Sequence, residues 1–330
     1  MTRFLLVLLA LVPAVISGPR AAVLSLSHDE AVQRLRVYDD SGTGSAASLS
    51  SVGLGVQVGS VTADAAGSRV FFVTNKGDEQ ALHAISYGLV SGVESAALPD
   101  GLRVTHLEWD GSGTPRLVGA GLRIPDDEVT LIQFQGGALV DLGMPLAGCC
   151  TFRAGVSGFR ASDDSLFLVG RIDGESQDRI FRFGLGAVPT VASVLLDADL
   201  AVLELAVAGS GQVFGLAYSA SIDRTRLVAF DALLNVEIRG TGVEGCCFVL
   251  AGSSAIDPVA GDWVVAGTGA SGVSSLWRFA LASGAVIDGI TTISAVGLFH
   301  DATTVTPGSE LFGDGFESGL PLPRALQQSH

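Results

Sequence analysis

A short motif recurs along the chain at a nearly constant interval and constrains the fold more than any other feature. In each copy an apolar residue stands three positions before an aromatic one, and the aromatic residues are Tyr38, Tyr87, Phe134, Phe183, Phe230 and Phe279. Successive aromatic residues are 49, 47, 49, 47 and 49 positions apart. This regularity predicts one supersecondary unit repeated six times along the chain.

Each unit also contains the signals of four short strands. A turn rich in Asp and Gly precedes an apolar strand, as in Asp110–Gly113 before Arg116–Gly119, and a further strand follows each aromatic residue. Residues 22–52 supply only three strands, and residues 295–306 supply one more. We therefore predict an all-β fold, a six-bladed β-propeller with four antiparallel strands per blade. The C-terminal strand is expected to join the N-terminal blade and close the ring, which removes both open sheet edges.

The turn-and-strand signature resembles that of secreted propellers of the NHL, YVTN and WD40-like groups. The resemblance covers residues 22–306 and implies the propeller fold. It implies no particular activity, because these groups share architecture rather than chemistry.

The two ends of the chain differ from the repeats. Arg3 precedes an apolar run at residues 4–16, and Val15 and Ser17 are small residues placed for cleavage, which is typical of a secretory signal. We predict a signal peptide at 1–17, the propeller at 18–306 and a flexible tail at 307–330. No transmembrane segment is expected in the mature chain, and the predicted location is secreted or periplasmic, with association at the cell surface as a further option.

The tail contains the segment Leu311–Gly319, which reads LFGDGFESG. This segment is similar to the IFxDGFExG tails that end many exported proteins of gammaproteobacteria, so the resemblance implies a bacterial exported protein. Two roles for this segment are considered. It is either a signal for export or surface retention, or an acidic tail without a function.

Charge and hydropathy narrow the class of partner. The chain has 34 acidic and 19 basic residues, a net charge of -15, and 48% hydrophobic residues. The apolar content argues against disorder, and the acidity argues against binding of nucleic acid, because the chain would repel phosphates. The expected partner is therefore a protein or a small molecule.

The predicted inner strands line the axis of a propeller, so candidate binding residues are expected on them. Aligning those strands on their turn residues gives no column with more than one Asp, Glu or His. The isolated polar residues left near the axis are His106, Glu108, Arg160, Glu204 and His300. We therefore expect no convergent catalytic set, no metal site and no cofactor, since each of these needs several such groups together.

Two cysteine pairs form the most distinctive motif. Cys149–Cys150 and Cys246–Cys247 each follow a glycine and precede the inner strands of the fourth and sixth blades, at the predicted rim of the channel. In an exported chain they are candidates for disulfides, paired within each motif or across the two motifs, and free thiols are the third option. Rings closed within such pairs resemble those at the active-site rims of quinoprotein dehydrogenases. The tryptophan docking motifs of that family are missing here, so no quinone cofactor is expected.

These observations favour a secreted, non-enzymatic propeller that acts as a ligand- or protein-binding scaffold. In that interpretation the cysteine pairs are rigid loop supports rather than redox or ligand-stacking groups. The alternative is a propeller hydrolase, lyase or dehydrogenase acting on a sugar or lactone in the channel. Convergence of three or more of the five isolated polar residues would favour the enzyme.

Overall fold

Among the residues that the structure describes, the regular elements are strands and a 3₁₀ turn at Ala161–Asp163. The computed structural model describes residues 22–305 except for short gaps at 30–31, 39–43, 49–56, 65–68, 77–78, 87–92, 125, 147–148, 245–247, 258–259, 269–273, 288–290 and 293–297. Within these residues no helix is long and apolar enough to cross a membrane.

Five four-stranded antiparallel sheets are each built from one continuous stretch of chain. The first comprises β4 Gln57–Asp64, β5 Arg69–Lys76, β6 Glu79–Ser86 and β7 Val93–Ala97. The second comprises β8 Leu102–Asp110, β9 Arg116–Arg123, β10 Glu128–Gln135 and β11 Ala138–Gly143. The third comprises β12 Cys149–Arg160, β13 Ser165–Ile172, β14 Arg179–Gly184 and β15 Thr190–Leu195.

The fourth and fifth of these sheets repeat the same order. The fourth comprises β16 Leu200–Val207, β17 Val213–Ser219, β18 Arg224–Phe230 and β19 Val236–Glu244. The fifth comprises β20 Phe248–Asp257, β21 Asp262–Thr268, β22 Ser274–Ala280 and β23 Thr291–Thr292. Each sheet is a simple up-and-down meander, so consecutive strands are neighbours in space.

A further sheet takes strands from both ends of the described chain. It comprises β1 Ala22–Asp29, β2 Val32–Tyr38, β3 Gly44–Ser48 and β24 Leu298–Val305, in the order β24-β1-β2-β3. The antiparallel pairing of β24 with β1 runs from Ala22 opposite Val305 to His28 opposite Leu298. The β24 strand therefore holds the position that the first strand holds in every other sheet.

The first strands of the sheets lie beside one another, and we call β24, β4, β8, β12, β16 and β20 the inner strands. Contacts join β4 to β8, β8 to β12, β12 to β16 and β16 to β20, and β24 lies against both β20 and β4. The predicted all-β propeller with blades of four antiparallel strands is confirmed.

The repeated aromatic residue occupies the same place in successive blades. It lies near the end of the third strand, opposite the start of the second: Phe134 pairs with Leu117, Phe183 with Leu166, Phe230 with Val213 and Phe279 with Trp263. Phe183, Phe230 and Phe279 are almost fully buried. In the three blades that contain Phe183, Phe230 and Phe279, the period near 48 residues thus marks a core aromatic ring.

The hydrophobic core lies between neighbouring sheets rather than within one sheet. One cluster joins Phe71 and Val73 of β5 to Leu107 of β8 and Leu117 of β9. Another joins Val118 of β9 to Phe181, Phe183 and further residues of the β12–β15 sheet. Because sheets stack face to face, strands are covered on both sides, which accounts for a high apolar content with few charges.

Candidate functional site

Every inner strand from β4 to β20 contains a β-bulge, and a polar residue follows each bulge. The first paired residues after the register shifts are Ser60, His106, Ser157, Glu204 and Ser254. We call these five residues the polar belt. All five are buried, with side chains between 0% and 8% exposed.

The belt corrects the column prediction. His106 and Glu204 occupy one structural column, whereas alignment on the turn residues places no two titratable groups together. That alignment was wrong in two blades: Arg160 and Val207, not Asp163 and Gly209, pair with the first residue of the next strand. The loop after β12 includes a 3₁₀ turn, and the bulges differ in length, so distances from the turn are not constant.

Hydrogen bonds from the belt join neighbouring sheets. Ser157 Oγ donates to Oε1 of Glu108 at 2.6 Å, and Ser254 Oγ donates to Oε1 of Glu204 at 2.8 Å. Each bond connects one inner strand to the next. The carboxylates therefore act first as acceptors that hold adjacent blades together, as expected of buried polar groups.

His106 is wholly buried at the same level. Its Nε2 donates to the carbonyl oxygen of Arg153 at 2.7 Å, across the boundary between β8 and β12, and its Nδ1 lies 2.9 Å from Thr105 Oγ1. Burial lowers the pKa of His106 to about 4, although the bond to Arg153 raises it. At neutral pH the imidazole is uncharged and serves as a fixed hydrogen-bonding bridge.

Glu108 lies two residues further along β8. Burial raises its pKa to about 7, while the hydrogen bond from Ser157 lowers it. The carboxyl group is thus close to half protonated at neutral pH, the condition in which a group can donate or accept a proton.

The other predicted channel residues lie elsewhere or outside the described side chains. Arg160 stands at the end of β12, where its Nη2 lies 2.7 Å from Asp163 Oδ2 and its Cζ lies 4.9 Å from the centre of the Phe167 ring. Its Nη1 also donates to the carbonyl oxygen of Gly211 in the next blade, at 3.4 Å. His300 lies in β24, and its side chain is outside the described residues.

Four of the predicted channel residues each bind a different described neighbour. His106 binds Arg153, Glu108 binds Ser157, Glu204 binds Ser254 and Arg160 binds Asp163. Across the described part of the chain, no three His, Cys, Asp or Glu residues lie close enough to hold a metal ion.

Cys149 and Cys150 open β12, and their Sγ atoms adjoin each other across a cis peptide bond. Their side chains are 9% and 6% exposed and belong to the apolar cluster that contains Leu166 and Phe181. The first pair is thus largely covered by core residues. Cys246 and Cys247 lie outside the described residues.

The groove between the β4–β7 and β8–β11 sheets is the second candidate site, and sequence analysis did not identify it. Its volume is about 720 Å³, and its walls include Phe71, Leu82, Trp109, Phe134 and Leu139. The rings of Phe71 and Trp109 stack, with centres 4.9 Å apart and planes 18° from parallel. These rings form a flat apolar floor within the groove.

The charged side chains that line the groove are arginines. Arg69 and Arg116 line it, and no Asp or Glu is among the described residues that do so. The guanidinium carbon of Arg69 lies 4.9 Å from the centre of the Phe71 ring, a cation–π arrangement. Arg116 also bonds to Asp110 at 2.8 Å and to Asp164 of the next blade. The groove thus combines aromatic rings with two guanidinium groups, one of which is already paired with carboxylates.

A sequence signal for the groove exists in hindsight. Arg69 and Phe71 are two residues apart in β5, so their side chains lie on one face of the sheet. Trp109 lies near the end of β8, in the next sheet. The sequence of one repeat does not show which blades lie face to face. The pairing of those two faces becomes visible only when the blades are stacked.

Comparison with known proteins identifies the architecture. No family model and no curated protein matches the chain. TolB from Acinetobacter baumannii superimposes with a TM-score of 0.63 at 11% identity, over 88% of this chain and 68% of that one. A candidate TolB from Agrobacterium tumefaciens gives 0.52 at 9% identity, over 83% and 89% of the two chains.

A protein from Bacteroides fragilis described as a candidate 6-phosphogluconolactonase is also similar. Its TM-score is 0.51 at 13% identity, and the match covers 88% of this chain and 99% of that one. At such low identity these likenesses show the propeller fold alone.

Proposed function

We propose that the chain is an exported, non-enzymatic β-propeller that serves as a ligand- or protein-binding scaffold, and that the groove is its binding surface. The groove is the observation that supports this proposal. Its volume of about 720 Å³ lies within the range of ~300–1,000 Å³ found for ligand pockets. The polar belt is buried and already hydrogen-bonded, which favours the groove over the channel as the place of binding.

The lining of the groove indicates the class of ligand. Phe71, Trp109 and Phe134 supply apolar and aromatic surface, and Arg69 supplies a positive charge at the edge of that surface. A ligand that combines an apolar or aromatic body with a carboxylate or another anionic group would satisfy both features.

The proposal includes two further parts, closure of the propeller ring and export of the chain. The six sheets would be six blades, with the β24–β1 pairing as the closure; the contacts of β24 with β4 and β20 support this. Residues 1–17 would direct export to the periplasm or beyond, 18–306 would form the ring and 307–330 the tail. A disulfide within the Cys149–Cys150 pair would suit the oxidising compartment.

An aromatic anion tests the binding surface directly. We expect anilinonaphthalene sulfonate to bind at one saturable site, with energy transfer from Trp109. Arg69→Gln should weaken binding about 5–10-fold, because it removes one charged contact of ~1–1.4 kcal/mol. Arg179→Gln is the matched control, since Arg179 pairs with Glu175 away from the groove. Equal affinity of wild type and Arg69→Gln would reject the groove as the binding surface.

One observation supports the alternative, a channel enzyme acting on a sugar or lactone. Glu108 has a pKa of about 7, which suits a general acid or base, and one structural neighbour is described as a candidate 6-phosphogluconolactonase. Hydrolysis of gluconolactone, followed by acid release, would decide between the two. A rate that is lost in Glu108→Gln would establish the enzyme; a rate equal to the uncatalysed one favours the scaffold.

A further inference from the structure

We propose that the groove is occupied by the C-terminal segment of the same chain, residues 307–330, through its aromatic residues Phe312 and Phe316. This inference rests on the groove being a binding surface. It adds a resident occupant, so that an external ligand would bind by displacing the chain's own tail.

The place where the described chain ends supports this occupant. Val305, the last residue of β24, pairs with Ala22 at the start of β1. The equivalent pair in the next sheet is Asp64 with Arg69, at the end of β4. Because the sheets repeat one plan and β24 lies against β4, the tail begins at the same end of the blades as Arg69.

Part of the groove lining lies at that same end. Arg69 begins β5, Pro115 and Arg116 lie at the turn between β8 and β9, and Gly137 lies at the turn between β10 and β11. All four line the groove, and all four belong to the ends of strands that meet at this side of the blades. The tail therefore starts one sheet away from the groove, at the end of the blades where these four residues line it.

The length of the segment suffices to reach the groove. Phe312 is seven residues beyond Val305 and Phe316 is eleven, so an extended chain spans ~24 Å to the first and ~37 Å to the second. Packed sheets lie about 10 Å apart, and the tail must cross one sheet and the gap beside it. The extended segment is therefore long enough to span that distance.

The chemistry of the segment complements that of the groove. Phe312 and Phe316 alternate with the acidic residues Glu310, Asp314 and Glu317, and Arg324 is the only basic residue among 307–330. The groove offers stacked aromatic rings beside Arg69 and Arg116, and no described acidic residue lines it. Phenylalanine rings would pack on Phe71 and Trp109 while the carboxylates approach the guanidinium groups.

A tethered occupant competes strongly with free ligands. A segment joined by a short linker is present at an effective concentration on the order of millimolar, so even weak contacts keep it bound most of the time. An external ligand of the same chemistry must then overcome that competition, and loss of the two phenylalanines should raise the apparent affinity of the groove for it.

Photo-crosslinking in the full-length protein tests the contact. With p-benzoylphenylalanine in place of Phe312, irradiation should link the tail to the groove walls, around residues 69–71, 109 or 134, as read by mass spectrometry of the digest. The same photoreactive residue at Leu233, an exposed turn position between β18 and β19, is the control and should not reach those peptides. Crosslinks from position 312 to other surfaces only, or no crosslink, would refute the proposal. Links between isotopically light and heavy copies would also refute it, since they place the tail in another molecule.

A binding measurement separates this inference from the proposed function. In the full chain, Phe312→Ser with Phe316→Ser should lower the apparent Kd for anilinonaphthalene sulfonate at least 3-fold. If that double variant binds like the wild type while Arg69→Gln still weakens binding, the tail does not occupy the groove and the groove remains a binding surface. If Arg69→Gln also has no effect, the proposed function itself fails.

Discussion

Two junctions between neighbouring blades show how one repeat produces both a filled core and an open groove. The open junction lies between the β4–β7 and β8–β11 sheets, and the packed junction lies between the β8–β11 and β12–β15 sheets. At the open junction Phe71 and Trp109 stack on each other and leave a volume of about 720 Å³ beside them. At the packed junction three phenylalanine rings meet: Phe152 contacts Phe181 and Phe183 edge-on, with ring centres 5.3 and 5.9 Å apart.

The inner strands at the two junctions also differ in the length of one bulge. In β8 the bulge leaves a single residue, Thr105, between the paired positions 104 and 106. In β12 four residues lie between Phe152 and Ser157, against one residue on β13. The longer strand places Phe152 against the rings of β14, so an insertion in an inner strand fills a junction that otherwise stays open.

The junctions differ in polar contacts as well. Across the packed junction run the bonds from His106 to Arg153, from Ser157 to Glu108 and from Arg116 to Asp164. Across the open junction, the Gln80 side chain accepts from the backbone of Val104, and Thr62 accepts from the backbone of Trp109. Among the described contacts, titratable side chains thus bridge the packed junction, whereas the bonds named at the open junction join uncharged side chains to backbone N–H groups.

The largest predicted difference concerns one repeat position at the two junctions. Phe183 and Phe134 are equivalent, but Phe183 is 0% exposed and Phe134 borders the groove. Phe183→Ala should lower the free energy of unfolding by about 3–5 kcal/mol, because it leaves a cavity in a closed core. Phe134→Ala should cost about 1–2 kcal/mol, since its ring is already partly in contact with solvent. Urea denaturation at neutral pH measures both, and equal losses would show that the two junctions are packed alike.

The second prediction concerns pH and the two titratable groups of β8. His106 has a pKa of about 4 in the folded protein and about 6.5 when unfolded, so its contribution to stability is present above 6.5 and is lost as the pH falls toward 4. Glu108 has a folded pKa of about 7 against 4.5, so its contribution is present below 4.5 and is lost as the pH rises toward 7. Each amounts to about 3 kcal/mol, with opposite sign.

A single substitution at either residue should remove one of these two opposing pH dependences of stability. Relative to the wild type at each pH, Glu108→Gln should become less stable by about 3 kcal/mol as the pH falls from 7 to 4.5, and His106→Gln should become more stable by a similar amount. His83→Gln serves as the comparison from the sheet that borders the open junction: burial lowers the pKa of His83 too, but Ser95 beside it is exposed. Urea midpoints at several pH values provide the measurement. Parallel pH profiles for the three variants would contradict the assignment.

The sequence predicts the blades because each repeat contains residues that are needed within that blade itself. Each third strand needs one large ring opposite the start of the second strand, and Phe183, Phe230 and Phe279 meet it in turn. The Asp- and Gly-rich turns that join the strands are likewise set by neighbouring residues. Such signals survive in a single chain without any knowledge of tertiary contacts.

The candidate site was not predictable in the same way. The polar belt depends on bulges whose length changes between blades, so counting from a turn misplaces Arg160 and separates His106 from Glu204. The groove depends on which faces of two sheets meet, and on Phe71 stacking with Trp109 rather than with a third ring. Both features arise only where blades stack on one another, so the sequence of a single repeat unit does not reveal them.

The smallest predicted effect concerns an arginine that takes part in both junctions. Arg116 lines the groove, yet its guanidinium bonds to Asp110, Gln133 and, in the next blade, Asp164. Arg116→Gln should lower the free energy of unfolding by about 1–2 kcal/mol, because it leaves the buried Asp110 carboxylate with fewer partners.

The matched control for Arg116 is Arg179, whose bond to Glu175 lies within one surface turn. Arg179→Gln should change stability by no more than ~0.5 kcal/mol, the usual scale for an exposed ion pair. Raising the salt concentration in the same urea titrations should reduce the Arg179 effect further and leave most of the Arg116 effect, since the Asp110 carboxylate that Arg116 binds is only 3% exposed. Equal effects that vanish together in salt would place Arg116 on the surface, and the polar contacts would then not distinguish the packed junction from the open one.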